Sequence, residues 1–422
     1  MRKEVVIVAG GKGSRLLEYS KKSKTLLKIN HKSLLERIII LTKKYNLNKI
    51  HLIINKNQTD IINYIVKNKL NINLIKETKP LGDGNCLKIL KNDKDYKKKN
   101  YLVIYGDLLL NLNLNKVFDF HFKKKSNLTL VVHPNLHLFD SDLVKMDLND
   151  NLMNLYLKPH KEIKSIYALS GLYIIAGKLI ENLKTNKKLG FSKKILPSLI
   201  KKTKKIFCYD TPEFILDTGT KKRLIMARKI IKRKEFQDLN LDKKQKAIFL
   251  DRDGVINKEF LNEKYSIPSN FFKGTIKSIK KIRQKNYLII IITNQPGVAK
   301  GFLTIEHLNN LHLNMQLKLI NNKTYISKIY FCPHYPVSGY KKEVKKLKIK
   351  CKCRKPENKL VLNAIQKYNI DRNKSFFIGN SLEDYLCAKK SRIKFIKVGD
   401  KKFNFIGKSF ENLNDAVDNF LS

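Results

Sequence analysis

Ile248-Phe249-Leu250-Asp251-Arg252-Asp253-Gly254 reads as an apolar strand that ends on two carboxylates. A carboxylate at the tip of a parallel strand opens into the crevice where α/β proteins bind ligands. Asp251 placed there can attack phosphorus and form an aspartyl-phosphate. Asp253, two residues on, can protonate the leaving oxygen and later deprotonate the attacking water. Two neighbouring acids repel an anionic substrate, so the chemistry needs a divalent cation, and oxygen ligands favour Mg²⁺. Thr293-Asn294-Gln295 closes the next strand and offers a hydroxyl and amides to phosphate oxygens. Lys355 supplies positive charge to the developing phosphorane, and Asn380 and Asp384 follow a further strand, where metal ligands are needed. The alternative is an ordinary turn, since Asp and Gly are turn formers. Four such segments in this order argue against a turn alone.

Around that stretch the chain alternates strands and helices. Strands are expected at 247–250, 287–293, 326–331 and 375–378, with helices near 275–285 and 305–319. The first half has the same grammar: strands at 5–8, 51–54, 72–75 and 101–105, helices at 33–44 and 58–67, and further strands at 128–132, 152–156 and 171–175. This is βαβ organisation with a mostly parallel sheet in each half. A helix at 223–231 and a polar stretch at 232–246 separate two domains, residues 1–235 and 246–422.

At 422 residues, 42% of them hydrophobic, the chain is long enough for two cores. No stretch reaches the ~18 apolar residues of a membrane span. The opening apolar run leads into glycines and not into a cleavage site, so a cytoplasmic protein is expected. The net charge of +51 is spread along the whole chain, whereas a nucleic-acid binder concentrates its charge on one face. Phosphorylated substrates, and not nucleic acid or membrane, are therefore the expected partners. Of six cysteines, three cluster with a histidine, which suggests a metal in a reducing compartment. Cys86, Cys208 and Cys387 read as small core residues.

In the first half, Gly10, Gly11, Gly13, Ser14 and Arg15 leave a strand in a loop whose N–H groups, hydroxyl and guanidinium can close on phosphates. Its spacing is neither that of a Walker loop nor that of a dinucleotide fold. A second loop, Pro80-Leu81-Gly82-Asp83-Gly84, suits close approach to a flat base. Asp107 and Asp217 are two distant acids of the kind that a metal-bound nucleoside triphosphate requires.

Residues from about 246 onward resemble the haloacid dehalogenase superfamily. Within it, the wording at 249–257, 293–301 and 353–356 resembles the D-glycero-D-manno-heptose 1,7-bisphosphate phosphatases, and histidinol-phosphate phosphatases share most of it. The resemblance implies Asp251 as nucleophile, Asp253 as acid/base, and Thr293 and Lys355 as phosphate binders. Arg252, Asn294, Gln295 and Arg354 would contact substrate. It also implies zinc held by Cys332, His334, Cys351 and Cys353, structural because four protein ligands leave no open position. One departure stands out: Asn380 occupies the place of the family's aspartate, so an anionic Mg²⁺ ligand becomes a neutral one.

Residues 1–230 resemble the sugar-1-phosphate nucleotidylyltransferases, and Glu77-Thr78-Lys79-Pro80-Leu81-Gly82 resembles the guanylyltransferases acting on D-glycero-α-D-manno-heptose 1-phosphate. By that resemblance the fold is nucleotide-diphospho-sugar transferase-like (GT-A-like), beside a haloacid dehalogenase-like fold. The loop at 10–15 would bind the triphosphate, GTP by preference. Lys24 would follow that loop, Asp107 and Asp217 would hold Mg²⁺, Lys158 would meet the sugar phosphate, and Gly171 would line the sugar pocket. Ser23 and Thr25 replace prolines that flank the family's lysine, which is expected to loosen the loop presenting Lys24. Together the halves read as a bifunctional enzyme of nucleotide-activated heptose synthesis for surface polysaccharide. Alternatives keep the architecture with histidinol phosphate or another hexose 1-phosphate as substrate, or make the chain a basic nucleic-acid binder with a vestigial phosphatase fold.

Overall fold

The computed structural model describes residues 2–11, 22–78, 82–181, 183, 190–233, 235–258 and 271–421. The chain divides into two compact units, Met1–Asn240 and Leu241–Ser422.

Besides a two-residue antiparallel pair, Lys28–Ile29 with Lys32–Ser33, the strands of the first unit are β1 (Arg2–Val8), β2 (Ile50–Asn55), β3 (Asn73–Glu77), β4 (Lys99–Tyr105), β5 (Leu108–Asn111), β6 (Leu128–Pro134), β7 (Leu143–Met146), β8 (Leu152–Tyr156), β9 (Tyr167–Ala176), β10 (Ile206–Asp210) and β11 (Phe214–Asp217). The main sheet runs β8-β7-β9-β4-β1-β2-β3, with β6 beside β9 and β10 beside β6. Only β3-β2-β1-β4 is the continuous parallel block that the sequence suggested; β9 enters antiparallel to β4, so the sheet is mixed. The parallel strands end level, Val8 facing both Ile53 and Tyr105, and Asn55 facing Glu77. That register puts Gly10, Glu77 and Asp107 on one edge of the sheet. Helices α1 (Leu34–Lys44), α2 (Thr59–Lys67), α3 (Leu114–Lys123) and α4 (Lys221–Ile231) complete the elements needed below. Ser33 starts α1 by accepting the Glu36 N–H, and Leu35, Ile38 and Ile39 bury its apolar face against Val5, Ile7 and Leu52.

The second unit has an all-parallel sheet: β12 (Ala247–Leu250), β13 (Leu288–Asn294), β14 (Lys328–Cys332), β15 (Phe376–Gly379), β16 (Lys394–Val398) and β17 (Ser409–Phe410), in the order β14-β13-β12-β15-β16-β17. Helices α5 (Thr275–Gln284), α6 (Ile305–Asn321), α7 (Lys359–Tyr368), α8 (Leu382–Lys390) and α9 (Leu413–Phe420) connect or follow them. Ile248, Leu250, Ile289, Ile291 and Ile378 form the buried strand surface, packed with Ile279, Ile282, Met315, Leu319 and Val417 from the helices. The chain moves outward from β12 through β13 to β14, then returns to the other side of β12 as β15. A crevice opens outside the carboxyl ends of strands at such a reversal, and Asp251 and Asn380 both stand there. Among the described residues no helix is long and apolar enough to cross a membrane.

Candidate functional site

In the second unit, Asp251 follows β12 and its N–H bonds Ile378 O, fixing it to the tip of β15. Lys355, 3% exposed, lies between two carboxylates, 2.7 Å from Asp251 Oδ1 and 2.6 Å from Asp384 Oδ1. Burial alone would lower the ammonium pKa, but Asp251 and Asp384 outweigh it and hold the group above its ordinary value. Asp251 is pushed up to about 7, chiefly by burial and then by Asp384, with Lys355 opposing and Asp253 adding to the rise. Asn294 orients that lysine through its backbone, accepting the Lys355 N–H and donating to Lys355 O, both at 3.0 Å. Thr293 is buried at the end of β13.

Several expected substrate contacts have other partners. Arg252 is buried, its guanidinium turned onto Asp253 and His312 and not toward a ligand. Gln295 donates to Asp253 Oδ2 at 2.8 Å and to Thr293 Oγ1 at 2.9 Å. Arg354 lies over the Tyr335 ring, 5.1 Å from its centroid. Asp384, expected as a metal ligand, is fully buried and already used. Its Oδ2 accepts from the N–H groups of Asn380 and Ser381 and from Ser381 Oγ, and its Oδ1 pairs with Lys355. The cause is local: Ser381 and Asp384 form a reciprocal cap at the start of α8. Gly379 permits that packing, since a Cβ there would lie 2.5 Å from Asp384 Cβ. Asp253 is used as well, its two carboxylate oxygens accepting from Arg252, Asn257 and Gln295, so of the expected ligands Asp251 and Asn380 are the side chains that would offer oxygens to Mg²⁺. That set fits the ion, because the concentration of carboxylates around Asp251 is what a divalent cation would relieve.

Cys332 at the end of β14, His334, Cys351 and Cys353 form one cluster with all ligand atoms within 4.8 Å. Sγ separations are 3.5 Å for Cys332–Cys351, 3.2 Å for Cys332–Cys353 and 3.3 Å for Cys351–Cys353; His334 Nδ1 is 3.2 Å from Cys353 Sγ and 3.6 Å from Cys332 Sγ. A tetrahedral zinc with ~2.3 Å bonds to sulfur sets ligand edges of roughly 3.8 Å, so the four atoms need little movement to take the ion.

In the first unit, the glycines of the phosphate loop that are described, Gly10 and Gly11, follow β1, whereas Gly13, Ser14, Arg15 and the Lys79-Pro80-Leu81 part of the second loop lie outside the described residues. Gly82, with φ +94°, opens the turn that leads to Asn85. Lys24 Nζ pairs with Asp107 Oδ2. Thr218 donates its N–H and hydroxyl to Asp107 O, which brings Asp217 beside Asp107. A Cβ on Gly219 would lie 2.8 Å from Asp217 Oδ1 and 2.9 Å from Lys24 Nζ, so both side chains close over that glycine. Arg223 on α4 holds Asp217 at 2.7 Å and reaches Asp140 at 3.9 Å; Lys158 Nζ donates to Asp140 O at 2.6 Å. The acids, Lys24 and Lys158 thus belong to one linked set, and two carboxylates on adjoining strand ends suit Mg²⁺. Gly171, with φ +77°, marks a register shift in β9, and a Cβ on it would lie 3.1 Å from the Tyr105 ring.

Sequence reasoning missed Asp60. Its carboxylate accepts from Ser23 N at 2.6 Å and Ser23 Oγ at 2.7 Å, so the segment before Lys24 is pinned where loosening was expected. The serine supplies two donors that a proline lacks. A helix-start acid thirty-seven residues away leaves no local pattern that could reveal this.

The family model for nucleotidyl transferase matches residues 4–234, and that for haloacid dehalogenase-like hydrolase matches residues 304–398. The D-glycero-beta-D-manno-heptose-1,7-bisphosphate 7-phosphatase of Pasteurella multocida is 32% identical over 183 residues, covering 41% of this chain and 97% of that protein. The chain belongs to the nucleotidyl transferases in its first unit and to the haloacid dehalogenase-like phosphatases in its second. It is an enzyme with a nucleotidyltransferase unit and a phosphatase unit. The equivalent phosphatases of Haemophilus ducreyi and Helicobacter pylori are 34% and 32% identical, covering 36% and 35% of this chain and 80% of each relative. Among solved structures, HddC from Yersinia pseudotuberculosis aligns with TM-score 0.48 at 24% identity, covering 55% of this chain and all of that one. Likeness at that level says nothing of substrate.

Proposed function

We propose that the second unit removes the 7-phosphate of heptose 1,7-bisphosphate and that the first unit transfers a nucleotidyl group from a nucleoside triphosphate to the heptose 1-phosphate so formed. The observation that carries the first half is Lys355 held between Asp251 and Asp384 at the strand tips, together with relatives named for this reaction across most of their own length.

An Asp251 oxygen attacks phosphorus while the bond from phosphorus to the C7 oxygen breaks, and Asp253 gives that oxygen a proton. Water then attacks the aspartyl-phosphate, Asp253 takes its proton, and Asp251 is restored. Lys355 and Thr293 hold the phosphoryl oxygens. Mg²⁺ on Asp251 and Asn380 would supply charge neutralisation, and zinc on the Cys/His cluster would hold the 332–353 loop. In the first unit a phosphate oxygen of the sugar attacks the α-phosphorus and pyrophosphate leaves. Lys24 and Lys158 orient the two anions, and Asp107 and Asp217 would carry Mg²⁺ there. The reaction is cytoplasmic.

Glu77 supports guanine as the base. Its carboxylate is 9% exposed at the tip of β3, beside Gly10, where a Cβ would lie 2.9 Å from Glu77 Oε2. Oε1 accepts from Asn85 at 2.7 Å. Guanine alone among the common bases presents two adjacent N–H donors, which an acceptor-only carboxylate matches.

The test is incubation of the intact protein with heptose 1,7-bisphosphate, Mg²⁺ and a panel of nucleoside triphosphates, following phosphate and pyrophosphate. The relatives are named for the β anomer and the first unit's wording resembles an α-anomer enzyme, so each anomer is supplied separately. Release of phosphate by an Asp251→Asn variant at the native rate would refute the phosphatase reading. Unchanged GTP preference in Glu77→Gln would refute the role of Glu77.

A further inference from the structure

Arg252 is the largest fully buried side chain among the described residues, at 1% exposed, and it stands between the two catalytic aspartates in sequence. Its fork faces Asp253, with Nε 3.1 Å from Oδ1 and Nη2 2.9 Å from Oδ2. Asn257 Nδ2 adds a donor to Oδ1 at 2.9 Å and Gln295 Nε2 adds one to Oδ2 at 2.8 Å. Each oxygen of Asp253 is therefore held by two donors, while 22% of the side chain stays exposed to the site.

The guanidinium has further N–H groups, and buried donors without partners are costly. Nη1 lies 3.0 Å from His312 Nε2, on the buried face of α6, sixty residues along the chain. Arginine only donates, so this ring nitrogen accepts and the proton sits on Nδ1. Burial, and then Arg252, push the imidazole pKa well below its ordinary value, which agrees with a neutral ring.

We propose that Arg252, braced by His312, is the positioning residue for Asp253, fixing its carboxylate for the attack of water on the aspartyl-phosphate. This rests on the phosphatase reading above. The His312–Arg252 contact adds a distant helix to that geometry, so α6 takes part in the reaction without touching substrate.

The test uses the full chain with p-nitrophenyl phosphate, whose leaving group needs no proton, so only breakdown of the phosphoenzyme requires Asp253. His312→Leu removes the acceptor and His312→Gln keeps a neutral one. The expectation for His312→Leu is a fall in kcat of about tenfold, with KM falling in step, kcat/KM unchanged and phosphoenzyme accumulating on acid quench. His312→Gln should recover most of that change. A smaller folded fraction would lower kcat and kcat/KM alike with KM constant, and that result overturns the inference, as does unchanged kinetics. Asp253→Asn is measured alongside. If it accumulates phosphoenzyme and His312→Leu does not, the positioning role fails alone; if neither does, the assignment of Asp253 as base fails as well.

Discussion

Lys355 and Asp384 form a buried pair whose members act through each other. Removing the cation leaves two carboxylates facing one another, and breaking a buried pair in this way costs about 3–5 kcal/mol. Lys355→Met should therefore lower stability as well as abolish turnover, seen as a reduced urea midpoint. The neighbouring Asn380 and Asp384 are separable by their metal dependence. Asp384→Asn should cut phosphate release at least about tenfold while leaving the Mg²⁺ midpoint of activation unchanged, because its oxygens serve Lys355 and the α8 cap. Asn380→Asp should move that midpoint to lower Mg²⁺, and calorimetric Mg²⁺ titration should show tighter binding. His121 supplies a test in the first unit. Burial pushes its imidazole down to about 4, between Thr129 at 2.8 Å and Asn100 at 3.1 Å. The unfolded chain protonates first, so stability is full above about pH 6.5 and is lost as pH falls toward 4, by up to roughly 3 kcal/mol. His121→Gln should flatten that loss in urea titrations at pH 7 and pH 4.5.

At the scale of elements, the 332–353 loop carries the four-ligand Cys/His cluster at its two ends. It has one short 3-10 turn, Lys345–Leu347, and no helix or sheet ladder between Cys332 and Cys353. Zinc-selective chelation, or Cys351→Ser, should lower the melting temperature of the second unit and its phosphatase rate, read by calorimetry and phosphate release. An unchanged melt would refute the role of the cluster in holding the loop. This loop and β12 were legible in sequence because their signals are local: ligand spacing in one case, an apolar run ending on acids in the other. β7 and β11 were not, since four-residue strands of ordinary composition are defined by their neighbours. β16 and β17 are short strands at the sheet edge of the same kind, whereas helices α7 to α9 went unread although α8 has a local start signal in Ser381 and Asp384. The roles of Arg252, Asp60 and Asp384 depend on partners in other elements or on a cap, so residue type gave the site but not the assignment within it. Arg252 was expected among the substrate contacts, but its burial and its contact with His312 on α6 are tertiary facts with no local signal.

For the whole molecule, the division falls between Asn240 and Leu241. Asn240 bonds Asn111 at 2.8 Å within the first unit, and Leu241 O accepts from Asn369 at 2.9 Å within the second. Each unit has its own buried cluster, around Val5 and Leu52 in one and Ile248 and Ile289 in the other. Fragments 1–240 and 241–422 should each fold with a cooperative melt and keep their own activity, checked by circular dichroism and separate assays. A seam that cuts neither core lets either enzyme be exchanged by recombination, so a chain of this kind can acquire a new donor nucleotide by swapping its first half while retaining the dephosphorylation that feeds it.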